Sequence, residues 1–128
     1  MRWLRRIKQE MLKIYQSDFD WMNYRLVKGE VTLHHIKKRE HGGKKEWGNL
    51  ALLMPTSHQY LHLIECKDVG IYEAINRVFR MINESMEAPS DGQRELVEYL
   101  LKEFEIEHKW DKGARGKLLI QKKYLDRW

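Results

Sequence analysis

The sequence predicts an α+β fold, in which a short two-stranded hairpin and a histidine-bearing helix are surrounded by additional α-helices. Three observations predict it. Two short apolar runs, Glu30–Ile36 and Leu50–Met54, have strand length and composition. The polar run between them, Lys37 to Gly48, is a loop of roughly a dozen residues. The segments 2–16, 71–86 and 93–107 repeat apolar residues near a 3.6-residue period, as amphipathic helices do.

In the first segment Trp3, Leu4, Ile7, Met11, Ile14 and Tyr15 make the apolar stripe, with Arg5, Arg6, Lys8 and Lys13 elsewhere on the helix. Ser17-Asp18 ends this helix or caps the next turn, and 18–29 is ambiguous between helix and irregular structure. Val31, Thr32, Leu33 and Ile36 favour a strand over 30–36. Gly42-Gly43 marks the middle of the loop that follows. After the second strand, Pro55-Thr56-Ser57 opens a helix with Thr56 or Ser57 as its expected N-cap, and this helix runs to about Lys67. Ile71, Ile75, Val78, Phe79, Ile82 and Met86 stripe the next helix. Ala88–Gly92 breaks the chain before a helix whose apolar face reads as Leu96, Leu100 and Phe104. From His108 the tail is basic and punctuated by Gly113 and Gly116.

The length of 128 residues suits one domain. It divides into an N-terminal helical region (1–29), the hairpin and histidine helix (30–68), a helical region (70–107) and a basic tail (108–128). No apolar run approaches the roughly 20 residues that span a bilayer, and the N-terminus lacks a signal-peptide core. A cytoplasmic protein without a membrane partner is expected. A lone cysteine, Cys66, excludes an intrachain disulfide and a Cys-x-x-Cys zinc knuckle; it reads as a small core residue. The net charge of +5 is segregated. Residues 1–45 carry 12 Lys/Arg against 5 Asp/Glu, residues 46–107 carry 5 against 12, and residues 108–128 carry 7 against 2. Two basic ends suggest a polyanionic partner, while the acidic helices of 71–107 suit the protein core, a protein partner or a second copy of the chain better than DNA.

Five of the six histidines lie between positions 34 and 62. His58 and His62 are four apart on a helix, so both project from one face, a spacing that suits two ligands of one metal ion. His34 and His35 are adjacent on a strand and point to opposite faces. One of the pair can bind the ion while its neighbour stays available as a base. His41 and His108 read as surface residues.

Leu33-His34-His35-Ile36, Gly42-Gly43, Asn49-Leu50 and His58-x-x-x-His62 together resemble the His-Asn-His (HNH) endonuclease motif, over about residues 30–66. The pattern is especially similar to colicin-type nuclease domains, which pair a His-His dipeptide with a terminal His-x-x-x-His. The resemblance implies a ββα-metal core and hydrolysis of DNA phosphodiester bonds, leaving 5′-phosphate and 3′-hydroxyl ends. It implies His34, His58 and His62 as metal ligands, His35 as the general base, and Asn49 as the residue that holds the loop and orients His35. One divalent metal ion (Mg, Mn, Ni or Zn) is the implied cofactor; three imidazoles favour a transition ion by softness, whereas family members also use magnesium or manganese. Lys37, Lys38, Arg39, Lys44 and Lys45 would contact the phosphates of DNA, double-stranded by expectation. Phage packaging, mobile elements, restriction and antiviral defence are settings that fit. The competing reading is a non-cutting nucleic-acid or protein-binding module of the same fold with a structural metal.

Overall fold

A computed structural model describes residues 2–37 and 47–108. Lys38, Arg39, His41, Gly42, Gly43, Lys44, Lys45 and the tail from 109 lie outside the described residues.

The α+β class holds: among the described residues, four helices surround a two-stranded antiparallel hairpin. The order is α1 (Arg2–Ile14), β1 (Thr32–His35), β2 (Leu50–Leu53), α2 (Pro55–Lys67), α3 (Val69–Ser85) and α4 (Asp91–Glu107). β1 and β2 pair Thr32 with Leu53, Leu33 with Leu52, His34 with Ala51 and His35 with Leu50. Every residue of β2 is fully buried, so its continuous apolar run is that of a strand covered on both faces. Helices α1, α2 and α3 all contact it.

The ambiguous segment 18–29 is irregular, and the Asp20 carboxylate organises it. Its Oδ1 accepts from the backbone N–H of Met22 (2.8 Å) and Tyr24 (2.9 Å), and its Oδ2 accepts from that of Met54 (2.8 Å). Trp21 donates its backbone N–H to Leu52 O at 3.1 Å, which extends pairing along the far edge of β2. Arg94 of α4 ties the same segment down, donating to Asp20 O, the Asn23 side chain and Ser17 Oγ at 2.6–3.0 Å. The start of α2 is thereby fixed to a segment more than thirty residues upstream.

Three local expectations need correction. The N-cap of α2 is Met54, with Pro55 in the first turn, so neither Thr56 nor Ser57 caps it. Proline at this position needs no donor and presets φ, which starts the helix earlier than a side-chain cap would. On α4 the buried stripe is Val97, Leu101 and Phe104, and Leu96 is exposed. Cys66 is exposed too: it lies four residues after His62 on α2 and shares that residue's outward face.

Helix α3 packs against α2, α4 and β2 with Ile75, Val78, Phe79 and Ile82 buried. Two asparagines interrupt its apolar face. Asn83 Nδ2 donates to Leu50 O at 2.8 Å, and its own carbonyl accepts the Tyr15 hydroxyl at 2.7 Å. Asn76 points at the hairpin, as described next. No described helix is long and apolar enough to cross a membrane.

Candidate functional site

β1 turns alternate side chains to opposite faces. Thr32 and His34 lie on the face covered by α2 and α3, where both meet His58. His35, half-buried, belongs to the other face.

His34 is 4% exposed. Its Nε2 donates to Asn76 Oδ1 at 2.8 Å, and its ring stands edge-on to Tyr72 and Phe79 of α3. The Nδ1 position keeps the lone pair. Burial, opposed in part by the bond to Asn76, holds the imidazole pKa down to about 3, and repulsion from the neighbouring histidines adds to the lowering.

His58 and His62 stack, with ring centroids 5.1 Å apart and planes 12° from parallel; His34 meets His58 edge-on at 5.6 Å. The Thr32 hydroxyl decides which nitrogen of His58 carries the proton. It has one hydrogen, given to Leu53 O at 2.7 Å, so toward His58 Nδ1, 2.9 Å away, it can only accept. Nδ1 is the protonated nitrogen and Nε2 carries the lone pair. Burial, then the charges of His62 and His35, lower the pKa of His58 to about 4. His62 is more exposed and directs Nδ1 to Glu65 Oε1 at 3.3 Å.

The three rings therefore share one pattern: one nitrogen donates to a protein oxygen and the other is left as a donor pair. Metal-binding histidines are oriented in this way by the hydrogen bond of their second nitrogen. The low pKa values keep His34 and His58 neutral at physiological pH, the form a cation requires. The donor chemistry fits a divalent ion. Among the described residues, no group of three or more His, Cys, Asp or Glu is already spaced to hold one. The rings neighbour one another in pairs without converging on a single point.

Asn49 closes the open end of the hairpin. Its Oδ1 accepts from Lys37 N and its Nδ2 donates to Lys37 O, both at 2.9 Å, while its own carbonyl accepts from Ile36 N at 2.8 Å. The backbone immediately after His35 is thus held at three points. Of the expected phosphate-contacting cations, only Lys37 is described, and it is exposed.

Four residues at the site escape a reading of sequence alone: Thr32, Glu65, Tyr72 and Asn76. Asn76 left a signal, because it falls among the apolar positions of α3 yet is 7% exposed. Beside it a cleft of about 380 Å³ is bounded by Lys37, Glu65, Tyr72, Asn76, Arg77 and Arg80, among others. A second concavity, about 610 Å³, is lined by Arg5, Lys8 and Lys13 of α1 together with Lys28, and among the described residues by no acidic one.

Residues 23–63 match the family model for HNH endonuclease, which spans the hairpin and the first part of α2. The match indicates a nuclease-type activity at the level of the family, whose members act on nucleic acid and typically bind a divalent metal ion. No curated protein matches the chain, and no solved structure does.

Proposed function

From the HNH endonuclease match over residues 23–63, we propose that the chain is a metal-dependent endonuclease that hydrolyses DNA phosphodiester bonds at the histidine cluster. The observation that carries this reading is the shared pattern of His34, His58 and His62, each with one nitrogen committed to Asn76, Thr32 or Glu65 and the other left to a ligand. These three residues would hold the ion. When bound, it supplies positive charge to the phosphate oxygens as the scissile bond breaks.

The remaining work falls to the chain. His35, half-buried and close enough to His34 and His58 for its charge to act on both, takes a proton from the attacking water as general base. Asn49 holds the backbone beyond His35 and so fixes the direction in which that ring points. Lys37, with Lys38, Arg39, Lys44 and Lys45, would neutralise phosphates beside the reaction centre. The basic concavity of α1, lined by Arg5, Lys8, Lys13 and Lys28, supports a polyanionic substrate.

Supercoiled plasmid incubated with Mg, Mn, Ni or Zn tests the proposal. Wild type should nick or linearise the DNA with at least one ion, and His35→Ala should lose the activity by a factor of 100 or more, the scale on which general-base catalysis contributes. No cutting with any of the four ions would refute it, as would a His35→Ala variant that cuts like wild type.

A further inference from the structure

We propose that the cleft between the end of α2 and the exposed side of α3 holds one backbone strand of the nucleic acid, with Arg77 and Arg80 as its phosphate-binding residues. This rests on the reading of the histidine cluster as a nuclease centre and adds a substrate site in a part of the chain beyond the matched segment.

The cleft touches the histidine cluster at three places. Asn76, in its lining, holds His34. Glu65 faces His62. Lys37 lies two residues after His35, and Asn49 grips its backbone. A strand in the cleft therefore lies against the residues that support all three of those histidines.

Arg77 and Arg80 are three apart on α3 and project from one face, both exposed. Among the described residues neither makes a hydrogen bond or an ion pair, so neither guanidinium is spent on the fold. A guanidinium binds phosphate through two parallel N–H donors, which fixes position as well as charge. Lys37 adds a third cation to the same lining. Of the two carboxylates there, Glu65 is engaged by His62, and Glu73 stands one turn before Arg77. At about 380 Å³ the cleft is on the scale of a small-ligand site. It suits one strand of backbone and is too small for a whole duplex.

The acidic composition of 71–107 pointed α3 away from DNA. Six of the nine carboxylates of 71–107 lie on α4, while both arginines of α3 line the cleft beside the histidines.

The test uses a labelled DNA duplex and a labelled single strand, with binding read by fluorescence anisotropy in EDTA over a range of salt. Cleavage by the same proteins is followed with the ion that supports wild type. Arg77→Ala/Arg80→Ala should bind at least tenfold more weakly at low salt, and the slope of log affinity against log salt should fall by about 2. Its KM should rise more than its kcat falls, while its melting temperature stays that of wild type. Arg77→Lys/Arg80→Lys should recover the salt slope but only part of the affinity. Lys102→Ala, an exposed cation on α4, should change nothing. Unchanged affinity and slope in the double alanine variant overturn the cleft assignment. If that variant also cuts normally, the nuclease reading stands without it. If wild type cuts with no ion, the nuclease reading fails, and the anisotropy alone decides whether the cleft binds nucleic acid.

Discussion

Acidification should destabilise the metal-free protein, and His34 and His58 should account for most of the loss. Both rings have folded-state pKa values held down, to about 3 and about 4, mainly by burial. In the unfolded chain an imidazole titrates near 6.5. Between these limits the unfolded state binds more protons, so stability falls as pH falls and is recovered as pH rises. At a pH of about 5 the unfolded ring is almost fully protonated and the folded ring almost neutral, a difference of about 2 kcal/mol per ring. Two rings give about 4 kcal/mol, a large share of the roughly 5–15 kcal/mol that holds a domain folded. The sum is an upper figure, because part of each shift is repulsion between the histidines themselves. Asp20 acts in the opposite sense: burial raises its carboxyl pKa, so its protonation favours the folded state. Urea unfolding in EDTA at pH about 7.5, 6 and 5, followed by the fluorescence of buried Trp21 among the tryptophans, measures the effect. His58→Gln isolates one ring and should remove about half of the pH dependence. An unfolding midpoint equal at pH 7.5 and 5, or a His58→Gln variant that keeps the full dependence, would refute the reasoning.

Three further outcomes are expected. Zn or Ni at 100 times its dissociation constant should stabilise wild type by about 2.7 kcal/mol at neutral pH; His58→Ala and His62→Ala should each lose most of that gain, read as the shift in melting temperature on adding the ion. Thr32→Val should weaken metal binding about tenfold or more, as loss of a hydrogen bond that orients a ligand does, whereas Thr32→Ser, which keeps the hydroxyl, should remain near wild type in a calorimetric titration. Asp20→Ala leaves three backbone donors without their acceptor, and at about 1 kcal/mol or more for each it should cost at least about 3 kcal/mol in urea unfolding, with the DNA affinity of the folded fraction unchanged.

The parts of the fold written in local pattern were legible in the sequence. Helices α1, α3 and α4 and the one-face placement of His58 and His62 follow from the 3.6-residue period, β2 from its continuous apolar run and the start of α2 from Pro55. The outward face of Cys66 is legible by the spacing rule of a helix, since it follows His62 by four residues. The buried stripe of α4 was not: Leu96/Leu100 and Val97/Leu101 are adjacent stripes, and packing on α3 decides between them. The support around the histidines was least visible. Asn76 reaches His34 across 42 residues and Thr32 reaches His58 across 26. Such pairs leave no spacing rule, because they are set by how α2 and α3 dock on the hairpin. The same holds for Asp20, whose three donors come from both sides of the hairpin in the chain.

The register of β1 against β2 carries a meaning beyond stability. His34 and His35 are chemically identical, and only the strand's alternation distinguishes them. A slip of one residue would turn His35 inward to Asn76 and His34 outward, and would carry Ile36 into the place His35 now holds. Two fastenings prevent the slip: Thr32 on Leu53 at one end and Asn49 around Lys37 at the other. The hairpin thus works as an addressing device that tells two copies of one side chain apart. Its accuracy depends on a hydroxyl and a carboxamide, neither of which needs to touch a substrate.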